Sequence, residues 1–380
     1  EDLVVSVKDS HHLLVQLFEK LPTMFQNQKT VECAFGPALT TGISLLTPTG
    51  GKIIASVAAV PSIGEGRVQC RADKKLFHQP KEYTLTLPAG EWYKQRALAC
   101  SQAQISVDLM VNGGADVDLA TIAPVARYTG GHIHRYPIHI MSGLKSQIER
   151  ALVRDTAFEA VLRVRAATGI TVPNFFGHCY VRGPDLLALP MTDSDSGYAM
   201  QLQLTSPLKT AFTYVQVALL YTTRSRERRI RVHTVQLGVS SAFPKVFNSA
   251  DGVAMGNMLA KVCIDHSVSC AFSVAQQKMT DRMIASLKLF RKHVPNTNKY
   301  QSSLYLPDSL KPVPFFITGF LRNAAVRSIS TCDTMPDDRV ASMSLYMTAP
   351  CNCMLSYLCS TTYCLYSPRD GLENLPAQQL

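Results

Sequence analysis

Arg163 and Arg165 are the side chains in this sequence best spaced to grip a ligand. Two residues apart on a strand, they project from one face roughly 6–7 Å from each other. Two guanidinium forks at that separation can hold one or two carboxylates of an extended peptide through bidentate, charge-assisted bonds. Their segment, Glu159-Ala-Val-Leu-Arg-Val-Arg165, alternates cleanly. Glu159, Val161, Arg163 and Arg165 share one face, and Ala160, Leu162 and Val164 share the other. The competing reading is a solvated outer face on which Glu159 partners the arginines. A second cationic feature follows: Arg224, Arg226, Arg228, Arg229 and Arg231 crowd into a charged turn and the start of a strand. There Ile230 and Val232 alternate with Arg229, Arg231 and His233, which predicts one face entering a core and one staying cationic. The β-branched and aromatic run Phe212–Tyr221 reads as the partner strand of a hairpin. These arginines either pair with local carboxylates or meet an anionic bilayer, where each contributes about 1 kcal/mol before screening. No aromatic residue is interleaved with them, so nucleic acid is not the partner expected.

Other reactive side chains point to less. His132 and His134 share a strand face and, with His139, invite a transition metal, but no carboxylate or cysteine follows at ligand spacing. Asp193 and Asp195 fall among Ser194, Ser196 and Gly197, which reads as a solvated polar turn. There is no Gly-x-Ser-x-Gly elbow and no glycine-rich phosphate loop. No catalytic centre, and hence no enzyme, is read. The chain has eleven cysteines. Cys33, Cys100, Cys179 and Cys263 stand alone in apolar segments, as small buried hydrophobes do in a reducing compartment. Cys351, Cys353, Cys359 and Cys364 lack the paired Cys-x-x-Cys spacing of a structural zinc site.

The elements that must position these residues fall into textures. Residues 1–137 alternate helix and strand patterns. Asp9 is placed to cap a helix carrying Leu13, Leu14, Leu17, Phe18 and Leu21 on one face. Lys52–Val60, Ile105–Val111 and His132–Tyr136 read as strands and 89–101 and 118–127 as helices, which predicts a parallel sheet covered on both faces. A basic amphipathic helix, Gly143–Arg154, leads into period-two runs over 157–240, Tyr198–Leu204 among them, the pattern of an antiparallel sandwich or small barrel. From Ser249 the period becomes helical, with stripes Met255, Met258, Leu259, Val262 and Met283, Ile284, Leu287, Phe290. A polar loop over 296–303, helices near 315–325 and 337–347, and Pro350 as a stop complete the pattern.

With 380 residues, 46% of them hydrophobic, the chain can fill two or three globular cores. Its formal net charge of +10 favours acidic partners. About half of that charge lies in residues 142–240. No run approaches the roughly 18–20 apolar residues of a membrane helix. The amino end lacks the features of a signal peptide and reads as the interior of a longer chain.

The string Glu227-Arg-Arg-Ile-Arg-Val-His-Thr234, preceded by Ala218-Leu-Leu-Tyr-Thr222, resembles the cargo-adaptor subunit of the COPII inner coat, the Sec-twenty-four family. Leu21-Pro-Thr-Met-Phe25, Gly36-Pro-Ala-Leu39, Thr47-Pro-Thr-Gly-Gly51, Tyr128-Thr-Gly-Gly131, Phe158–Arg165, Val181-Arg182 with Asp185-Leu-Leu-Ala-Leu189, and Asp337-Asp-Arg-Val340 match in the same order. The resemblance implies a multidomain α+β protein. Its parts are the C-terminal half of a von Willebrand A-like α/β trunk (1–137), an antiparallel β-sandwich with a leading helix (138–241), an all-helical domain (242–348), and the start of a gelsolin-like domain or a linker (349–380). It implies a pocket for acidic export signals of the Asp-x-Glu and Leu-x-x-Leu/Met-Glu kinds, with Arg163 and Arg165 gripping carboxylates and Leu220 and Tyr221 supplying apolar surface. The family's pocket also draws basic residues from earlier trunk sequence. Arg224, Arg226, Arg228, Arg229 and Arg231 would face the membrane. The implied partners are the GTPase-activating coat subunit, a Sar-type GTPase, outer-coat subunits, cargo and SNARE export signals, and the anionic membrane surface. The implied place is the cytoplasmic side of endoplasmic-reticulum exit sites and COPII vesicles. No cofactor is implied for these residues, a structural zinc belonging to a zinc-ribbon domain that precedes them in the family. The alternatives are the GTPase-activating partner subunit of the same coat, a hydrolytic enzyme, or a nucleic-acid-binding module.

Overall fold

The computed structural model describes residues 3–71, 74–136, 143–293, 306–328, 334–358, 363–364 and 373–374. His139, the 296–303 segment and Cys359 lie outside them. In the trunk, α1 (His11–Phe25) and α2 (Phe35–Leu46) precede β1 (Gly51–Val57), and α3 (Trp92–Gln102) precedes β2 (Ile105–Asn112). Two short helices, α4 (Leu119–Ile122) and α5 (Pro124–Arg127), then lead to β3 (Ile133–Tyr136). The sheet order is β1-β2-β3, parallel throughout. Every residue of the central strand is buried. Its Ile105, Val107, Leu109 and Val111 pack with Phe35, Leu39, Tyr93, Cys100 and Val125 of the helices on one face. On the other, Met110 and Tyr136 meet Leu144 and Ala151 of α6 (Gly143–Val153), so both faces are covered.

One expectation fails at the amino end. Asp9 does not cap α1: Ser10 holds the capping position, no side chain caps the helix, and the Asp9 N–H donates to Ser6 Oγ. No residue of α1 is buried, and Leu13, Leu17 and Phe18 are exposed. Its apolar stripe is amphipathic as read, but nothing among the described residues packs over it.

The sandwich contains β4 (Thr156–Ala166), β5 (Ile170–Phe176), β6 (Tyr180–Gly183), β7 (Leu186–Asp193), β8 (Ala199–Leu204), β9 (Phe212–Thr222) and β10 (Arg228–Gly238). A five-stranded sheet, β10-β9-β4-β7-β6, faces the β5–β8 ladder, and all pairs are antiparallel. Ala160, Leu162 and Val164 enter the core between them, beside Leu187, Leu189, Phe175 and Met200.

The helical unit comprises α7 (Phe243–Asn248), α8 (Gly252–Ser267), α9 (Phe272–His293), α10 (Pro312–Leu321), α11 (Pro336–Thr348) and α12 (Met354–Leu358). Asp251 caps α8, its Oδ1 accepting from the N–H groups of Val253 and Ala254 at 2.9 and 3.1 Å. Met283 and Phe290 are buried and Leu287 is half-buried, while Ile284 lies at the edge of that stripe and is exposed. A two-residue ladder joins Tyr363–Cys364 to Glu373–Asn374.

One helix belongs to all three units. At the start of α11 the buried Asp337 carboxylate accepts from the trunk N–H groups of Val117 and Leu119, at 2.6 and 2.7 Å. Arg135 of β3 lies among Asp116, Asp337 and Asp338. The buried Arg339 pairs with Glu82 at 2.7 Å, donates to the carbonyls of Ala324 and Arg327, and lies over the Phe272 ring. Val340 joins the trunk core. At the far end, Thr348 O accepts from Gly197 N–H of the sandwich at 2.7 Å. Beside it the buried Lys261 ammonium donates to the carbonyls of Tyr346, Met347 and Ala349 at 2.9, 2.6 and 3.2 Å. These carbonyls close a helix end that would otherwise be unsatisfied.

Asp337→Ala leaves two buried N–H donors without an acceptor and Arg135 with less countercharge. The expected cost is about 3–5 kcal/mol in urea unfolding. Asp337→Asn, which keeps an acceptor oxygen, is expected to lose clearly less, and equal losses for the two variants would refute the role given to the carboxylate.

Candidate functional site

β4 is an inner strand, so its alternation has physical consequences on both faces. Arg163 lies between Leu186 of β7 and Ala218 of β9, and Arg165 lies beside Gln216. Both arginines are exposed. The Arg163 Nε–H donates to Asp185 Oδ2 at 2.7 Å, and among the described residues no carboxylate pairs with Arg165. Glu159 is not their partner. A bulge between Phe158 and Val161, with Glu159 at a φ of 49°, turns this carboxylate to Thr222 Oγ1 at 2.9 Å and Arg228 at 3.5 Å.

Cross-strand register decides what stands beside the arginines. Leu220 is opposite Val161 and Ala218 is opposite Arg163, so Leu220 shares the arginine face. Tyr221 has the other parity and packs against the sandwich core. The structure therefore brings Arg163, Arg165 and Leu220 together and leaves Tyr221 on the far side of the sheet.

The arginine turn is ordered by its own hydrogen bonds. Thr223 N–H donates to Glu227 O, Arg226 N–H donates to Thr223 O, and Arg226 takes a φ of 65°. Arg228 pairs with Glu159 and Arg229 with Glu227. Arg224 donates to the Val153 carbonyl at 3.0 Å. Among the described residues Arg224, Arg226 and Arg231 have no carboxylate partner. The expectation that Ile230 and Val232 enter a core is overturned. β10 is an edge strand, all of its residues are exposed, and these two are 68% and 51% exposed. The core is built by β4, β7 and β9 against the β5–β8 ladder, and β10 adds nothing to it.

The histidine and aspartate groups are structural partners at the trunk–sandwich junction. His132 Nε2 faces both oxygens of Asp193, at 3.2 and 3.1 Å. Asp193 also receives Arg154 at 2.8 Å and Ser196 Oγ at 2.9 Å, and its side chain is fully buried. Reading this pair of aspartates as a solvated turn is therefore wrong: Asp195 is gripped by Arg150 and Arg154. Arg154 also approaches Asp108, which pairs with Lys52. Burial works to raise the Asp193 pKa, but His132, then Arg154 and Ser196, outweigh it and hold the carboxyl below its usual range. Burial, with His132 next to it, pulls His134 down to about 4. Among the described residues no group of three or more His, Cys, Asp or Glu side chains is arranged to hold a metal ion.

Sequence reasoning missed His178. Its Nδ1–H donates to Gly131 O at 2.6 Å and its Nε2 faces Ser344 Oγ at 3.2 Å, so one buried ring links sandwich, trunk and helical unit. Gly131 is required there: a Cβ would lie 1.9 Å from Val107 O. The Tyr128-Thr-Gly-Gly131 string entered only as a family match, and nothing local in the sequence pointed to the histidine.

A parallel α/β trunk, an antiparallel sandwich and a helical unit, locked by one shared helix, define a multidomain scaffold that displays a cationic sheet face. Comparison with known proteins gives that scaffold a family. Residues 1–156 match the Sec23/Sec24 trunk domain, 157–240 the Sec23/Sec24 beta-sandwich domain and 251–356 the Sec23/Sec24 helical domain. The chain belongs to the Sec23/Sec24 family. It is 34% identical over 364 residues to the Arabidopsis thaliana protein transport protein SEC24 A, covering 94% of this chain and 35% of that one. With the Bos taurus protein transport protein Sec24A the identity is 34% over 371 residues, covering 96% and 33%. The crystal structure of the human COPII-coat protein Sec24c shares the fold, with a TM-score of 0.86 at 23% identity over 96% of this chain and 50% of that one. The chain thus spans about a third of the length of these curated relatives. No helix among the described residues is long and apolar enough to cross a membrane.

The junction histidine generates a pH prediction. Burial pulls His178 from 6.5 down to about 3. Between those values the unfolded chain binds a proton that the folded chain refuses, so stability is intact above pH 6.5 and is lost as pH falls toward 3. The slope is about 1.4 kcal/mol per pH unit within that window. Burial raises Asp337 from 3.8 to about 6, which acts in the opposite sense between those values. The informative comparison is therefore with His178→Asn, which keeps a donor for Gly131 but cannot titrate. Urea midpoints between pH 7 and 4 are expected to fall less steeply for this variant than for the parent. Parallel curves would rule out His178 as the acid-sensitive group.

Proposed function

We propose that this chain is the trunk, sandwich and helical part of a COPII cargo adaptor, and that its sandwich face binds acidic export signals in the cytosolic tails of membrane cargo. One observation carries the reading: Arg163 and Arg165 share an exposed face with Leu220, and among the described residues only Arg163 has a carboxylate partner. An incoming carboxylate can bind Arg165 without displacing a carboxylate of the described residues. A second can replace Asp185 on Arg163, exchanging one exposed ion pair for another, which costs little. Leu220 and Val161 then offer apolar contact to a neighbouring aliphatic side chain. Binding of this kind is weak and selective, as a coat that must release its cargo requires.

The relatives' names support the transport role, and because they are Sec24 proteins they favour the cargo adaptor over the GTPase-activating partner of the same coat. By the same reading the partners are that GTPase-activating subunit, a Sar-type GTPase, outer-coat subunits, and cargo and SNARE tails. The site of action is the cytoplasmic face of endoplasmic-reticulum exit sites. Arg224, Arg226, Arg228, Arg229 and Arg231 supply the membrane contact. Three of them lack a carboxylate partner among the described residues, so their charge is available to anionic headgroups.

The test of the signal site is fluorescence anisotropy with labelled Asp-x-Glu and Leu-x-x-Met-Glu peptides. Arg163→Ala/Arg165→Ala is expected to weaken binding at least about tenfold with the unfolding curve unchanged. Equal affinity for both proteins would place the site elsewhere. The membrane contact is tested by co-sedimentation with phosphatidylserine-containing vesicles. Arg224→Ala/Arg226→Ala/Arg231→Ala is expected to bind about a hundredfold more weakly at low salt, with the difference shrinking as salt rises. Unchanged binding would assign these arginines to solvent.

A further inference from the structure

The arginine turn does not stand alone at its end of the sheet. Phe158, near the start of β4, pairs with Thr222, the last residue of β9, so the chain entering β4 runs beside the turn. That chain is the C-terminal end of α6. Arg224 is tied to it directly through the Val153 carbonyl at 3.0 Å. Leu152 and Val153 are 58% and 73% exposed there.

This exposure does not come from a loose helix end. Ala151 is buried against Met110 and Tyr136 of the trunk. Arg154 is held by Asp193, Asp195 and Asp108, with only 5% of its side chain exposed. The residues on either side are thus fixed inward, while the two aliphatic side chains between them are held outward. Beside them lies Arg224, in the same turn as Arg226, and neither charge has a carboxylate partner among the described residues. Rigidly presented aliphatic groups adjoining uncompensated guanidinium groups match an anionic bilayer surface, where headgroups take the charge and the acyl boundary takes the carbon.

We propose that Leu152 and Val153 insert into the interfacial zone of an anionic bilayer while the 223–227 turn rests on the headgroups. The inference rests on the membrane reading of the arginine turn and adds to it a second, apolar component. The two side chains would make membrane binding partly resistant to salt, because burial of carbon is not screened as charge is.

The test places a reporter at the proposed depth. Val153→Trp in the full chain is mixed with vesicles of phosphatidylcholine containing phosphatidylserine, using the parent protein, with its single Trp92, as the blank. Co-sedimentation is measured in parallel. Emission is expected to move to shorter wavelength and to be quenched by lipids brominated near the headgroup end of the acyl chain. Leu152→Asp/Val153→Asp is expected to bind these vesicles about tenfold more weakly, with the loss persisting at high salt. Co-sedimentation without blue shift or quenching would overturn insertion and leave the electrostatic contact standing. Absence of co-sedimentation would overturn both. A blue shift of the same size on adding single-stranded RNA or raising protein concentration alone would assign the patch to another occupant and overturn the proposal.

Discussion

The arrangement depends on a carboxylate that has been taken out of water. Asp337 is buried where trunk and helical unit meet, and its two oxygens are occupied by backbone donors that no trunk element uses internally. Desolvating a charged group costs several kcal/mol, and only well-directed partners offset it. Two N–H groups and Arg135 provide them in one geometry. A helix docked by apolar contact alone can slide or rotate by a fraction of a turn. A helix docked through this carboxylate cannot, because any shift leaves a buried charge unpaired. The remaining contacts of α11, from Arg339 with Glu82 to Ser344 with His178, are then made at fixed positions.

The same logic operates at the other junction. Arg154 leaves α6 and enters a pocket formed by Asp108 of the trunk with Asp193 and Asp195 of the sandwich. It is thus the covalent link between two units and also their electrostatic link. Strand β4 begins two residues later, so the orientation of its arginine face follows from where Arg154 is held. Buried charge is weak evidence for net stability, but it discriminates strongly between alternative packings. The cationic surface and the rigid frame that presents it are parts of one charge arrangement: the buried Arg154 is held by three aspartates, while the exposed Arg163 has a single carboxylate partner.

Much of this was legible in the sequence because it is written in local periodicity. The inward Ala160, Leu162 and Val164 and the outward Arg163 and Arg165 follow from alternation, and the parallel trunk follows from strands interleaved with helices. What failed was information that periodicity does not contain. Alternation at Ile230 and Val232 describes a strand equally well at an edge or in the interior, and only the sheet order shows that β10 has no second layer beneath it. Asp193 and Asp195, set among serines and a glycine, look solvated because their partners His132 and Arg154 come from other units. The Asp337-Asp-Arg-Val340 string is visible as a motif, yet two aspartates at a helix start have an ordinary local explanation in the helix dipole. Its actual role requires the trunk.

The contrast between Glu159 and Asp185 shows how small a backbone change decides which arginine is available. Both carboxylates lie near the β4 face. Had β4 continued without its bulge, Glu159 would project with Arg163 and Arg165 and partly neutralise them. The extra residue turns Glu159 toward Arg228 instead. Asp185 sits at the turn before β7 and pairs with Arg163. One arginine of the pair is thus lightly occupied, and the other has no carboxylate partner among the described residues. Such a surface stays hydrated and uncommitted when empty, yet meets an acidic segment with one guanidinium that has nothing to release. A fully paired face would demand an exchange at every contact, and a fully unpaired one would carry a larger repulsive charge. The bulge at Glu159 places this face between those limits.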